Sequence, residues 1–320
     1  MSTLLQSVEK FIENISVTDR QEDNIDASIK NLNNHLLDEN SNLFVQDVFL
    51  NGSYKRDTII RPLDDIDLFA VIDDSDYTNN GIDPNPQTVL TKFKNYLNSI
   101  HDYEDKVKQD RPCVTIHLSD KNFDVLPSLR KAGALYIPNN DLTSWTFTDP
   151  KTHTAQLNET NKRRHYKVKG VVKAVKQWKR ENSQNIPSFH IEEVAIEVFN
   201  FYDFSNDEEG IRLWFENAES YLKTDRFNSY DEYDKVKNKV YNVKSRLAEA
   251  KRLIDDNKVG EAKKIWKDIF GREFPVLDEE DAKNIVDASK KGTLKYSATT
   301  GLSTIAGSAM AASKGFYGDV

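Results

Sequence analysis

Apolar positions recur at helical spacing over residues 20 to 37, where Ile25, Ile29, Leu32 and Leu36 stand behind polar neighbours and predict an amphipathic helix. Phe44 to Leu50 reads as a strand and is broken by the turn residues Asn51-Gly52-Ser53. Ile66 to Ile72, dense in apolar and β-branched residues, predicts a second strand. A loop rich in Asp, Asn, Gly and Pro (73 to 86) precedes a helix over 87 to 100, in which Val89, Phe93 and Leu97 lie four apart. Two more strands, Cys113 to Leu118 and Phe123 to Leu126, are joined by Ser119-Asp120-Lys121-Asn122, a tetrad suited to a tight hairpin turn.

From about residue 150 the pattern is helix after helix. Val168, Val171, Val172, Val175 and Trp178 form one apolar stripe. Tyr233, Val236, Val240, Val243, Leu247, Ala250 and Ile254 step by three and four, a seam for a neighbouring helix; its shortness favours an intramolecular bundle over a coiled-coil dimer. A last helix over 259 to 269 should stop at Gly271, with Pro275 beyond it. From Ser297 to Val320 small residues dominate and bury little area, so this stretch is expected to be mobile or fixed only by docking. The expected organisation is a mixed α/β lobe (1–150), a helical lobe (151–290) and a small-residue tail (291–320).

Composition narrows the class without naming the chemistry. In 320 residues, 38% apolar and 30% charged positions describe a globular chain large enough for two lobes. A net charge of -8 argues against a wholly nucleic-acid-coated surface, and the single cysteine, Cys113, excludes an internal disulfide framework and a cysteine zinc site. The first twenty residues carry Glu9 and Glu13 without a basic start and apolar run, and no apolar segment approaches the roughly 18 residues needed to span a bilayer. The expectation is a cytoplasmic protein, acting as a monomer, with no membrane partner.

The chemistry is concentrated in Gly52-Ser53, followed after eleven intervening residues by Asp65-Ile66-Asp67-Leu68. On a strand, residues two apart share a face, so Asp65 and Asp67 project together while Ile66 and Leu68 enter the core. Such carboxylates repel unless exposed or neutralised by a divalent cation, and hard oxygen donors suit magnesium, with manganese an alternative. Asp124, in Asn122-Phe123-Asp124-Val125-Leu126-Pro127, is a third ligand if its strand lies beside the first. Phosphoryl transfer needs little beyond positioning and charge neutralisation, which two metals can supply. Gly52 would let the backbone approach a triphosphate, and Ser53 would add a hydroxyl.

These motifs resemble those of the bacterial cGAS/DncV-like nucleotidyltransferases, which make cyclic nucleotide signals in CBASS anti-phage defence. The resemblance rests on Phe49 to Thr58, Asp65-Ile66-Asp67-Leu68, Phe123-Asp124-Val125-Leu126-Pro127, Trp145 to Pro150, Val175 to Lys179, Ile186 to Glu192 and Trp266 to Gly271. It implies a polymerase beta-like α+β fold, with a mixed sheet, a C-terminal helical lobe and an active site in the cleft between them. It further implies nucleoside triphosphate substrates, Asp65, Asp67 and Asp124 as catalytic metal ligands, and Lys176 and Ser188 reaching the triphosphate. Asp57 departs from the family's usual glycine before the threonine of the first motif, and the terminus, Gly318-Asp319-Val320, differs from members conjugated through a terminal glycine or alanine.

Residues 162 to 180 hold nine lysines and arginines and no acidic residue, which suggests a structured RNA as activator. The leading expectation is synthesis of a cyclic di- or oligonucleotide. Transfer to an RNA, protein or small-molecule acceptor, and an inactive nucleotide- or RNA-binding module, are the competing readings.

Overall fold

The computed structural model describes residues 3–63, 65–72, 83–276, 279–297, 301–303 and 308–310. The chain forms two compact units, one of residues 12–241 and one of residues 1–11 with 242–320. The expected lobe boundary near residue 150 coincides with the last strand of the large sheet and the start of a helical run at Pro150, not with the division between the units.

In the larger unit a mixed sheet is built from β1 (Val45–Leu50), β2 (Asp65–Ile72), β3 (Val107–Asp110), β4 (Cys113–His117), β5 (Asn122–Lys131), β6 (Ala134–Pro138) and β7 (Trp145–Thr148). Its order is β1-β2-β5-β4-β3, with β6 on β5 and β7 on β6. The pair β2–β5 is parallel and the other neighbours are antiparallel. The tetrad 119–122 turns β4 into β5 as the sequence suggests, Leu118 N–H donating to the Lys121 carbonyl at 3.0 Å.

Helices α2 (Asp19–Leu36) and α4 (Pro86–Ser99) supply the core behind this sheet: Ile25, Ile29, Leu32, Val89, Phe93 and Leu97 join Ile66, Leu68, Ala70 and Ile72 of β2 in one apolar cluster. Each fully buried side chain of this kind contributes about 1.5–3 kcal/mol. A one-residue slip of β2 would turn its acidic face into that cluster, so burial of the even-numbered residues fixes where Asp65 and Asp67 point. Sequence marks the start of α4 and of α5 (Pro150–Arg163) in the same way, with proline at the first turn and an Asn85 or Asp149 oxygen accepting from the backbone of Thr88 or Thr152.

A short α3 (Gly52–Lys55) follows β1, and α6 (Val168–Glu181), α7 (Ser188–Phe201) and α8 (Asp207–Asn217) pack beyond α5. The stripe Val168, Val171, Val172, Val175 and Trp178 is buried throughout. In α9 (Tyr230–Asp255) the seam residues Val236, Val240, Val243, Leu247 and Ala250 are buried within this one chain.

The smaller unit holds an aromatic cluster, in which Phe11 of α1 (Leu4–Ile15) lies 5.3 Å from Phe270 and 5.5 Å from Phe274, with Trp266 stacked on both. Helix α10 (Val259–Phe270) ends at Gly271, whose φ of 83° requires a glycine-like conformation. It is not the last helix, for α11 (Glu279–Lys290) follows once Pro275 has been passed. The tail is also not without structure: β8 (Lys295–Ser297) pairs with β9 (Gly301–Ser303) and with β10 (Ser308–Ala309). Backbone pairing needs no apolar area, which is why a scarcity of large side chains did not reveal it. Most of the expected loop at 73–86 and the end of the tail lie outside the described residues. Among the described residues no helix is long and apolar enough to cross a membrane.

Candidate active site

Strand register brings two of the three predicted carboxylates together. Asp67 of β2 stands opposite Asp124 of β5, and Asp65 opposite Asn122, whose Nδ2 donates to Asp65 Oδ1 at 2.9 Å. Across the other edge of β5, Thr115 Oγ1 donates to Asp124 Oδ1 at 2.6 Å and fixes that carboxylate. Asp65 is exposed, whereas Asp67 and Asp124 are half-buried.

Burial raises the Asp67 carboxyl to about 6, and Asp124 and Asp65 push it the same way against the pull of Arg56 and Lys176. Asp124 is also raised, first by burial and further by Asp65, while the Thr115 hydrogen bond pulls it down. Crowded, partly dehydrated carboxylates of this kind are what a hard divalent cation would neutralise. Their oxygen donors fit magnesium or manganese. Among the described residues, however, no three His, Cys, Asp or Glu side chains form a ready-made metal cluster, so the aspartates make an open set and not a closed cage.

Gly52 adopts φ of 68°, and a methyl group on its Cα would overlap the Asp67 carboxylate. The glycine is therefore required twice, by its own backbone and by the approach of the acidic strand. Asn51 N–H donates to the Asp67 carbonyl at 2.9 Å, and the backbone N–H groups of Thr58 and Ile59 donate to the Ser53 carbonyl, closing the turn. Asp57, noted above as a departure from the resembling motif, also lies in the left-handed region, with φ of 54°, and its carboxylate meets Lys173 Nζ at 2.7 Å.

A cavity of about 560 Å³ gathers Gly52, Ser53, Asp67, Lys176 and Ser188, with Phe147 and Phe189 also in its wall. Asp65 and Asp124 are not part of that lining. Ser188 opens α7, and its Oγ accepts from Lys179 Nζ at 3.1 Å. Lys176 is buried and donates to Glu192 Oε1 at 2.8 Å and to Thr58 Oγ1 at 2.9 Å. A neighbouring cavity of about 780 Å³ shares the wall Phe147, Thr148, Asp149 and Pro150 and reaches Arg130 and Lys151.

Glu192 is the feature that motif reading missed. Its side chain is fully buried and also accepts from Arg56 Nε at 2.7 Å, Thr58 Oγ1 at 2.6 Å and His153 Nε2 at 3.0 Å. Burial by itself would raise its pKa, but the His153 hydrogen bond and the charges of Lys176 and Arg56 win and hold it well below the usual carboxylate range. A signal was available: Glu192 shares a helix face with Ala195 and Phe199, and an acidic residue on a buried face demands partners.

The basic stretch does not form one surface. Arg164 engages Asp203 and the Phe199 carbonyl, Lys173 pairs with Asp57, Lys176 with Glu192, and Arg180 donates to the Arg61 carbonyl. Lys162 and Arg163 stay exposed.

A family model described as the Second Messenger Oligonucleotide or Dinucleotide Synthetase domain matches residues 1–161, half of the chain. The chain belongs to this synthetase family. A cyclic AMP-AMP-AMP synthase from Acinetobacter is 26% identical over 267 residues, covering 75% of this chain and 76% of the relative. A probable cyclic nucleotide synthase from Bacillus cereus is 27% identical over 271 residues, covering 70% and 81%. Among solved structures, Escherichia coli MS115-1 CdnC with ATP aligns at a TM-score of 0.68 and 18% identity, covering 85% of this chain and 98% of that one. The synthetase family is one of nucleotidyltransferases, and the fold is the polymerase beta-like one expected from the motifs.

Two outcomes test the geometry. Gly52→Ala should abolish nucleotide binding and destabilise the fold by more than about 1 kcal/mol, measured by calorimetric titration and urea unfolding, because both backbone strain and overlap oppose it. Glu192, with its depressed folded pKa, contributes stability that is present above about pH 4.5 and lost as pH falls from there through the folded value. Urea unfolding between pH 3 and 7 should therefore show a steeper acid loss in wild type than in Glu192→Gln.

Proposed function

We propose that this chain joins nucleoside triphosphates to one another, releasing pyrophosphate and forming a cyclic di- or oligonucleotide that serves as a signal in anti-phage defence. The observation that carries the reading is the parallel register setting Asp67 against Asp124, beside a turn whose Gly52 leaves the Asp67 carboxylate the space a Cβ would take. The relatives, a cyclic AMP-AMP-AMP synthase and a probable cyclic nucleotide synthase, support it.

In this reading residues 1–150 act as the nucleotidyltransferase core lobe and 151–290 as the helical lobe, with the tail outside the chemistry. Ser53 and the amides following Gly52 hold the triphosphate, and Lys176, Arg56 and Ser188 meet it from the opposite wall. Asp124, on the strand beside Asp67, serves the acceptor nucleotide, whose hydroxyl attacks the α-phosphorus as the bond to pyrophosphate breaks. Magnesium, or manganese in its place, held by Asp65, Asp67 and Asp124, would neutralise charge on the attacking and leaving oxygens. The neighbouring cavity, divided from the first by Phe147 and Pro150, offers room for a second nucleotide and favours joining two nucleotides over transfer to an external macromolecule. The protein works as a monomer in the cytoplasm, and a structured RNA activator would dock on the exposed Lys162 and Arg163.

Purified protein incubated with four labelled triphosphates and magnesium, with no added acceptor, should give a small cyclic product by mass spectrometry. Asp67→Asn should lose about a thousandfold in rate, equivalent to about 4 kcal/mol of transition-state stabilisation. No product in wild type, or an unchanged rate in the variant, would sink the reading. Hairpin RNA should bind with an affinity that falls as salt rises and should increase turnover; binding indifferent to salt, or no change in turnover, removes the activator.

A further inference from the structure

Three consecutive residues beyond the glycine-serine turn are tied to the helices behind the cavity. Arg56 meets Glu192, Asp57 meets Lys173, and Thr58 meets both Glu192 and Lys176. These bonds cross from α3 and its exit to α6 and α7, over sequence separations of 116 to 136 residues. At their centre the two oxygens of Glu192 divide the work. Oε1 takes Thr58 and Lys176, and Oε2 takes Arg56 and His153.

We propose that Glu192 is a positioning residue for the triphosphate, setting Lys176 and Arg56 in the cavity wall and locking the Gly52-Ser53 turn against α6 and α7. The proposal rests on the reading of this cavity as the triphosphate site. Glu192 lies in the cavity wall, yet its oxygens are already engaged by hydrogen-bond donors, and a polyanion would be repelled by it. Its effect on nucleotide binding therefore runs through the cations it holds. Lysine is a flexible point charge with large rotamer freedom, and a buried carboxylate that fixes its ammonium removes the entropy that ligand binding would otherwise have to supply. Thr58 makes the restraint two-sided, since its hydroxyl accepts from Lys176 while donating to Glu192.

Acting through Lys176, Glu192 should show its effect only while Lys176 is present, which a double-mutant cycle measures directly. Binding of α,β-methylene ATP and GTP in magnesium is followed by calorimetry. Glu192→Gln should weaken the analogue that wild type binds by about tenfold, as should Lys176→Met, and the double variant should lose little more than either alone. At saturating substrate, kcat of Glu192→Gln should change less than about threefold, because the aspartates are untouched. Thr58→Val, nearly isosteric, gives the same cycle with Lys176→Met should Glu192→Gln fail to fold. Losses that multiply to about a hundredfold, or undiminished affinity in Glu192→Gln, would overturn the proposal while leaving the site intact. Wild type binding neither analogue would instead overturn the assignment of the cavity itself.

Discussion

Mutual repulsion between carboxylates on neighbouring strands is the constraint around which the larger unit is organised. Asp67 and Asp124 face each other because β2 and β5 run parallel in a register that buries Ile66, Leu68, Phe123 and Val125. The apolar side of the sheet thus holds in place a polar arrangement that would not assemble by itself. Gly52 then brings a backbone turn onto the Asp67 carboxylate at a distance no side chain tolerates. Concentrated negative charge beside backbone N–H groups is the basis on which a cation and a phosphate are proposed to bind here.

The opposite wall of the cavity is organised by the reverse arrangement, a negative centre that gathers cations. Isolated burial of Glu192 would cost several kcal/mol, and only a complete set of partners offsets that cost. Arg56, Lys176, His153 and Thr58 form that set, drawn from α3 and its exit, α5 and α6 around a residue of α7. Arg56, His153, Lys176 and Glu192 of this cluster line the cavity together with Asp67. Removing any one donor would leave a hydrogen-bonding site of the buried Glu192 carboxylate unmet.

Much of this was legible in the chain because periodicity and strand parity are local. The alternation in Asp65 to Ile72 assigned its two faces, and the stripe from Val168 to Trp178 assigned the buried face of α6. The strands β3, β6 and β7 were not legible: β3 and β7 are four residues long with no apolar run, and the apolar run of β6 is only five residues and ends in proline. The pairing of Asp67 with Asp124 could be expected from motif order, but the partners of Glu192 could not, since they come from three separate segments. Which cations of 162 to 180 stay exposed was not legible for a related reason. Charge along the chain says nothing of which residues find carboxylates or carbonyls after folding, as Arg164, Lys173, Lys176 and Arg180 do.

The claim that three aspartates share divalent ions is tested most directly by anomalous scattering from crystals grown with manganese and a non-hydrolysable triphosphate. A strong peak is expected within about 2.0–2.6 Å of carboxylate oxygens from both strands, with Asp124 among the ligands. A triphosphate bound in the cavity with manganese elsewhere, or with the Asp124 carboxylate turned away from it, would contradict the account.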